Sequence, residues 1–268
     1  MSMAIIVNSS DGYRDCWPYF FHLLKKYYPP SMSYEVILNT NTQSFSDPDL
    51  EITVSCSEFD DSLRLSWSQR LQKTLDNVQS DIVLIMFEDY FLTDFVKFSE
   101  LDKFTALMTS NTNIDHIRLA GGPWTTSPTT CKHLRKIKRF SKYRVSLQPG
   151  LWRRDSLKKI LLEHESAWDV EIFGSFRSFF SNHNYFCLSS EYLETEGSPI
   201  SVPAAGVIRK GRWVESDIRE IADRENLEID FSVRGFDSPD SVLEKWSRRA
   251  RYFYKSPNNL LRSLGAPL

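Results

Sequence analysis

The chain lacks paired cysteines. Cys16, Cys56, Cys131 and Cys187 stand far apart with no CxxC spacing. This excludes a zinc-ribbon signature and any disulfide framework, and four reduced thiols in the cytoplasm are expected. No stretch approaches the roughly 20 apolar residues needed to cross a bilayer. The opening Met1-Ser2-Met3-Ala4 has no basic region before its apolar run, and Ile5 to Val7 is too short for a signal peptide. There is little net charge, -2 over 268 residues, so no general attraction to nucleic acid is expected. No RNA- or DNA-binding motif offsets that. Neither GxGxxG nor the P-loop pattern occurs, which excludes the usual dinucleotide and P-loop fingerprints.

What is present suits one large domain, or one domain with an appendage. The chain is 41% hydrophobic, 25% charged and 13% aromatic, enough for a full core. Its centre is Ile82 to Phe87, six apolar residues without a break. Short, β-branched and bounded by polar ends, this run reads as a strand buried on both faces of a sheet. Glu88 and Asp89 follow directly. Ligands of open α/β sheets bind outside the carboxyl ends of the strands, and acids there can hold a divalent cation and through it a diphosphate. They can equally cap a turn or the next helix.

Upstream, Ala4 to Val7 reads as a strand, followed by the polar loop 8–12 and a helix from about Cys16 to Tyr27, stopped by Pro29-Pro30. Tyr34 to Leu38 is a second strand, so the sheet begins as parallel β-α-β. Ser66 and Gln69 form a capping box for a helix with Trp67, Leu71, Leu75 and Val78 on one stripe. Arg70 lies in its first turn, where a cation is unfavourable; either an anionic partner or solvent accounts for it. Downstream, 100–110 reads as a helix and 115–119 as a short strand. Gly121 to Thr130 is a breaker-rich loop. Lys132 to Arg144 carries seven Lys/Arg and no acid, either a solvated face or a contact for an anionic ligand or lipid. Val145 to Trp152 reads as a strand ending in a turn, and Asp155 to His164 as a short helix. Ser166 and Asp169 start a further helix with Trp168, Ile172, Phe176 and Phe179 on one stripe. Glu171 falls at the stripe's border, where partial desolvation would raise its pKa and suit a general base. Asp169 and Glu171 also complement the helix dipole. After a helix at 216–224, Leu227, Ile229, Phe231 and Val233 alternate like a strand. Ser238-Pro239 opens another helix. From Ser241 onward six Lys/Arg face one acid, with Trp246, Tyr252, Phe253 and Tyr254 between them. This suits either an anionic membrane surface or packing on the domain or a twin subunit.

Six stretches, in order, carry a resemblance: Asn8-Ser9-Ser10-Asp11; Trp67-Ser68-Gln69-Arg70-Leu71; Phe87-Glu88-Asp89-Tyr90-Phe91; Ser146 to Trp152; Trp168-Asp169-Val170-Glu171; and Gly206 to Gly211. Over about residues 4–215 the chain resembles bacterial family-2-like glycosyltransferases of the GT-A fold, which serve capsule and lipopolysaccharide synthesis. The resemblance implies a GT-A-like (Rossmann-like) α/β fold, with a mixed, mostly parallel sheet flanked by helices. The expected division is a catalytic domain over 1–215 and a basic, aromatic, helical C-terminal extension over 216–268. By the same resemblance, Glu88 and Asp89 stand where such enzymes keep the DxD motif that holds Mn²⁺ or Mg²⁺ and the donor diphosphate. The Glu-Asp-Tyr pattern lacks the spaced second Asp, so Asp89 is the better metal ligand. Ser9, Ser10 and Asp11 would lie near the base and ribose, and Arg70 near the nucleotide or diphosphate. Glu171 would deprotonate the acceptor hydroxyl, with Asp169 the next choice. Arg209 and Lys210 would close over the leaving diphosphate. The implied partners are a nucleotide-sugar donor and a glycan or lipid-linked acceptor. A cytoplasmic enzyme, touching the inner face of the cell membrane peripherally, is expected. The alternative is a non-catalytic nucleotide- or glycan-binding protein that keeps the fold.

Overall fold

The computed structural model describes residues 3–28, 34–56, 65–121, 125–238, 261–263 and 265. Pro29-Pro30, Gly122 to Trp124, the helix expected after Ser238 and nearly all of the basic tail lie outside the described residues.

The strands are β1 (Met3–Asn8), β2 (Glu35–Thr40), β3 (Thr53–Cys56), β4 (Ile82–Phe87), β5 (His116–Arg118), β6 (Thr126–Pro128), β7 (Leu134–Ile137), β8 (Gly150–Arg153) and β9 (Tyr185–Leu188). They form one nine-stranded sheet in the order β3-β2-β1-β4-β8-β5-β9-β7-β6. β1 is parallel to β2 and β4, β2 to β3, and β5 to β9; the pairings of β8 and β7 are antiparallel. The sheet is therefore mixed, with every strand except β7 and β8 running one way. A separate hairpin pairs β10 (Ile208–Arg209) with β11 (Arg212–Trp213).

The helices are α1 (Trp17–Tyr27), α2 (Trp67–Asn77), α3 (Phe98–Ser110), α4 (Arg154–Ile160), α5 (Ala167–Asp169), α6 (Ser175–Ser178), α7 (Ser190–Thr195) and α8 (Glu215–Glu225). A 3-10 turn over Asp11–Cys16 leads into α1, and a π-helical segment, Val170–Gly174, joins α5 to α6. The expected capping box starts α2. Ser66 Oγ accepts from Gln69 N at 3.1 Å, and Gln69 Oε1 accepts from Ser66 N at 2.9 Å.

Side chains alternate across a strand, and the central strands use both faces. Ile5, Val7, Leu84 and Met86 pack with Phe20, Leu24 and Leu101 on one side. Ala4, Ile6, Val83 and Ile85 pack with Leu71, Leu75 and Trp152 on the other. Each buried Val, Leu, Ile, Met or Phe among them contributes about 1.5–3 kcal/mol, so β4 anchors both layers. Ile218 and Ile221 of α8 join the first of these cores. Glu225 accepts from Tyr27 Oη at 2.6 Å and from Lys26 Nζ at 2.5 Å.

Four sequence expectations fail: the strand read over Val145 to Trp152 begins only at Gly150, and the loop read at 121–130 contains β6. Leu227 to Val233 is no strand: irregular backbone leads into a 3-10 turn at Phe231–Val233. Its alternate residues Leu227, Ile229 and Phe231 instead pack on the edge of the first core. The stripe Trp168, Ile172, Phe176, Phe179 does not face the core either. Trp168 and Phe176 are exposed, while Val170 and Phe173 are buried. Ile172 and Phe179 are half-buried, so the stripe keeps its spacing on one face, but that face is the outer one and periodicity alone does not say which face is covered.

Candidate active site

The chain winds outward from β1 to β2 to β3, then returns to place β4 on the other side of β1. This reversal makes the carboxyl ends of β1 and β4 a topological switch point, the ordinary crevice for a ligand in such sheets. The residues after β1 and β4 are Asn8-Ser9 and Glu88-Asp89. β8 runs antiparallel to β4, with Gly150 opposite Ile85. The strap Ser146 to Pro149 that enters β8 therefore lies at the same edge.

The loops are cross-tied. Ser9 N donates to Asn39 O at 2.9 Å, and Trp17 Nε1 donates to Ser9 Oγ at 2.7 Å. Asp11 accepts from Thr42 Oγ1 at 2.6 Å and from Thr42 N and Gln43 N at 3.2 Å. Burial opposes ionisation of Asp11, but these donors outweigh it and hold the carboxyl below its ordinary value. Asp11 thus clamps the β1 and β2 loops together. Arg70 is buried one turn into α2. That helix begins at the carboxyl edge, where Trp67 stacks on Phe87 with ring centroids 6.1 Å apart.

Glu88 and Asp89 are the electrostatic centre. Burial and the neighbouring Asp89 push Glu88 well above the carboxylate range, against the Ser9 hydroxyl and the Arg234 charge. Burial pushes Asp89 up to about 7, against Arg234. Glu88 Oε2 is buried without a hydrogen-bond partner. Over them lies the loop before β10: Val207 N donates to the Asp89 carbonyl at 2.8 Å. A Cβ on Gly206 would come within 2.5 Å of Asp89 Oδ2, and Gly206 sits at φ +72°. Only glycine fits both the left-handed backbone and the close approach.

Two adjacent, desolvated carboxylates, one with an unpartnered oxygen, suit a divalent cation. Among the described residues no group of three or more His, Cys, Asp and Glu could hold a metal. Mg²⁺-type sites are commonly built from one or two carboxylates plus water and substrate phosphates, so the donor set at Glu88 and Asp89 fits that mode.

Glu171 is the third carboxylate. Its Oε1 accepts from Leu147 N at 2.8 Å and from Ser146 Oγ at 3.2 Å. Burial raises its pKa, and these donors together with Arg118 limit the rise. Burial, Asp89 and Glu171 raise the Tyr90 phenol, and Gln148 and Arg118 counter them; Gln148 Nε2 also donates to Ala204 O at 3.3 Å, beside the loop that covers Asp89. The acidic pair and Glu171 therefore flank one crevice. Asp169 is placed otherwise. It is the N3 acid of its own capping box, with Oδ2 accepting from Ser166 N at 2.9 Å and Ser166 Oγ at 2.7 Å.

Arg209 and Lys210 lie on the β10–β11 hairpin, whose turn is Lys210-Gly211, both at positive φ. Arg209 Nε donates to Asp237 Oδ2 at 2.6 Å, and Lys210 Nζ lies 3.3 Å from Asp237 Oδ1. Both cations are anchored to the carboxylate of Asp237.

No protein-family model matches the chain, and no curated protein matches it. Among solved structures the chain is similar to S. aureus TarS 1-349, at 14% identity and TM-score 0.49 over 71% of this chain and 58% of that one. The same TarS fragment in complex with UDP-GlcNAc aligns at 16% identity and TM-score 0.44, over 71% and 56% of the two chains. A cytidylyltransferase from Leptospira borgpetersenii aligns at 12% identity and TM-score 0.45, over 90% of this chain and all of that one. This chain thus spans little more than half of the TarS fragment. At such identities and scores the likeness concerns the course of the chain and assigns no activity.

Sequence reasoning missed two cations. Arg234 donates to Asp15 (Nε to Oδ2, 2.8 Å) and to Gly12 O (2.8 Å), and lies 4.5 Å from the Tyr13 ring centroid. It ties the loop after β1 to the C-terminal hairpin and is the cation acting on both Glu88 and Asp89. Arg118, buried at the end of β5, donates to Tyr143 O at 2.6 Å and acts on Glu171. Neither carries a local signal, since each gains its role from residues distant in the chain.

Proposed function

We propose that the chain is a nucleotide-sugar-dependent glycosyltransferase. It moves a sugar to a hydroxyl of a glycan or lipid-linked acceptor, with inversion, in bacterial surface polysaccharide synthesis. The observation that carries this reading is the strap Ser146 to Gln148, which holds Glu171 through Leu147 N at 2.8 Å and reaches Ala204 O at 3.3 Å, two residues before the Gly206 that closes over Asp89. Transfer with a departing nucleotide diphosphate needs positive charge at one point and a base for the acceptor oxygen at another. Glu88 and Asp89 would hold Mn²⁺ or Mg²⁺, which supplies charge to the diphosphate. Ser9, Ser10 and Asp11 would border the base and ribose, and Arg70, Arg209 and Lys210 the phosphates. Glu171, oriented by Leu147 N and Ser146 Oγ, would take the acceptor proton. Asp169 is the weaker choice because its carboxylate is engaged as a helix cap.

A thermal-shift screen against UDP, GDP, CMP and dTDP, each with Mn²⁺ and with EDTA, tests the donor site through mass action. Stabilisation by one nucleotide, followed by turnover of its sugar conjugate that E171Q lowers about 10²–10⁴-fold, is expected. No shift with any nucleotide would refute the reading. Turnover of a nucleoside triphosphate with pyrophosphate release would replace it with nucleotidyl transfer. Donor binding without turnover towards any acceptor would favour the non-catalytic alternative.

A further inference from the structure

Four phenylalanines form one surface cluster on the helix that carries Glu171 and the turn packed against it. Phe140 and Phe179 have ring centroids 5.2 Å apart, Phe176 and Phe179 5.7 Å, and Phe176 and Phe180 5.8 Å. Phe140 is 74% and Phe180 76% exposed. Large rings in such positions lose free energy to water and ordinarily mark an interaction surface. The cluster is rigidly mounted. Arg144 Nη2 donates to His183 O at 2.6 Å, and Val145 N donates to Ser175 Oγ at 3.0 Å. These bonds tie residues 144–145, just after the Phe140 turn, to the start of α6 and to the segment beyond it.

Charge identifies the partner. Exposed Lys138, Arg139 and Lys142 flank Phe140. No Asp or Glu occurs in residues 116–154 or 172–190, although the whole chain is slightly acidic. Among the described residues none forms an ion pair with Lys138, Arg139 or Lys142. Hydrocarbon rings ringed by unopposed cations match a surface that is apolar within and anionic at its face. Nucleic acid is the poorer fit, because these rings pack edge-to-face or tilted against one another, at 74°, 53° and 67°. They do not stand apart as platforms for successive bases.

We propose that this face, built by Phe140, Phe176, Phe179, Phe180 and their flanking cations, docks the protein onto an anionic lipid bilayer. The rings enter the headgroup–acyl boundary and Lys138, Arg139 and Lys142 meet the lipid phosphates. The surface deepens the reading of the crevice as a transferase site. Phe176 lies five residues beyond Glu171, and the strap 144–148 runs from the patch to the Glu171 carboxylate, so a lipid-borne hydroxyl would arrive beside it.

The test is co-sedimentation of the full chain with phosphatidylcholine vesicles, with and without about a third phosphatidylglycerol, at low and high salt. Two variants accompany it, F140S/F180S and K138Q/R139Q/K142Q, each checked for an unchanged melting temperature. Binding to anionic vesicles only is expected, about tenfold or more weaker in each variant. The residual binding of the Lys/Arg variant should be less salt-sensitive. No binding above that to neutral vesicles overturns the proposal. So does binding equal in all three proteins, which would assign it to residues 239–268. Self-association lost in F140S/F180S, without vesicle binding, assigns the face to a second copy of this chain and also overturns it. Vesicle binding is read without substrate, and the nucleotide thermal shift is read without lipid, so either result can fail alone.

Discussion

Replacing Asp89 with Asn exposes the conflict between stability and chemistry at the crevice. Burial raises the Asp89 carboxyl from 3.8 to about 7. A raised acid stabilises the fold while it stays protonated there; that contribution is complete below the unfolded value and is lost as pH rises through the folded one. Between about pH 4 and pH 7 the native state therefore holds a proton that the unfolded chain has released, and stability falls with rising pH. Three units at about 1.4 kcal/mol each give an upper bound of about 4 kcal/mol above pH 7. Part of this is screened, because Asp89 is not fully buried, and an Asn amide in the same place leaves donors to satisfy. The net gain of Asp89→Asn at about pH 8 is then roughly 1–2 kcal/mol. Relief of repulsion on Glu88 acts in the same direction. The assay is urea unfolding of both proteins, without metal, at about pH 5 and about pH 8. Asp89→Asn should be the more stable protein at the higher pH, should show a shallower pH dependence, and should lose any Mn²⁺-dependent response to nucleotide. A variant less stable than the parent at pH 8, or a pH slope identical in both proteins, refutes the electrostatic reasoning.

Glu171→Gln keeps an oxygen to accept from Leu147 N, so folding and nucleotide affinity should survive. Turnover should drop about 10²–10⁴-fold. In the parent, turnover should rise with pH through a value above the ordinary glutamate range, because a base works deprotonated and burial raises Glu171; a flat acid limb would contradict this. Gly206→Ala places a Cβ against Asp89 Oδ2 and strains a left-handed backbone by about 1–2 kcal/mol. Its expected signature is weakened metal-dependent nucleotide binding in a folded protein, and full binding would show that the loop is not held against Asp89. Arg177 and Glu165 form a fully buried pair, with Nη1 to Oε1 at 2.6 Å, and Arg177 also donates to Ile160 O. Arg177→Ala leaves a buried charge unpaired and should lower stability by about 3–5 kcal/mol in denaturant unfolding. A loss under about 1 kcal/mol would mean that water reaches the pair.

The capping boxes at Ser66–Gln69 and Ser166–Asp169, the strand Ile82–Phe87 and the helix ending at Tyr27 were legible because their signals are local. Each depends on side chains within one turn, or on an unbroken apolar run. The Glu88–Asp89 pair was legible as a candidate because it directly follows the strand that buries both faces. Periodicity failed where tertiary context overrode it. The 227–233 alternation found no sheet edge to join, and the stripe from Trp168 to Phe179 kept its spacing on a face that no other layer covers.

Local signals in the chain were enough for β1, β2, β4 and β5, for α1 to α3 and for the two acids that close β4, but not for β3, β6, β7 or β9. These follow from backbone preferences and from the spacing of apolar residues, which act over a few positions. Only the tertiary structure decided what those acids experience. Gly206 roofs Asp89 from more than a hundred positions away, the Arg234 charge acts on the pair from the end of the turn Phe231–Val233, and the strap at Ser146-Leu147 holds Glu171. Desolvation and Coulomb forces depend on distance in space. The same carboxylates on an extended chain would be ordinary solvated acids, and the fold alone turns them into a site.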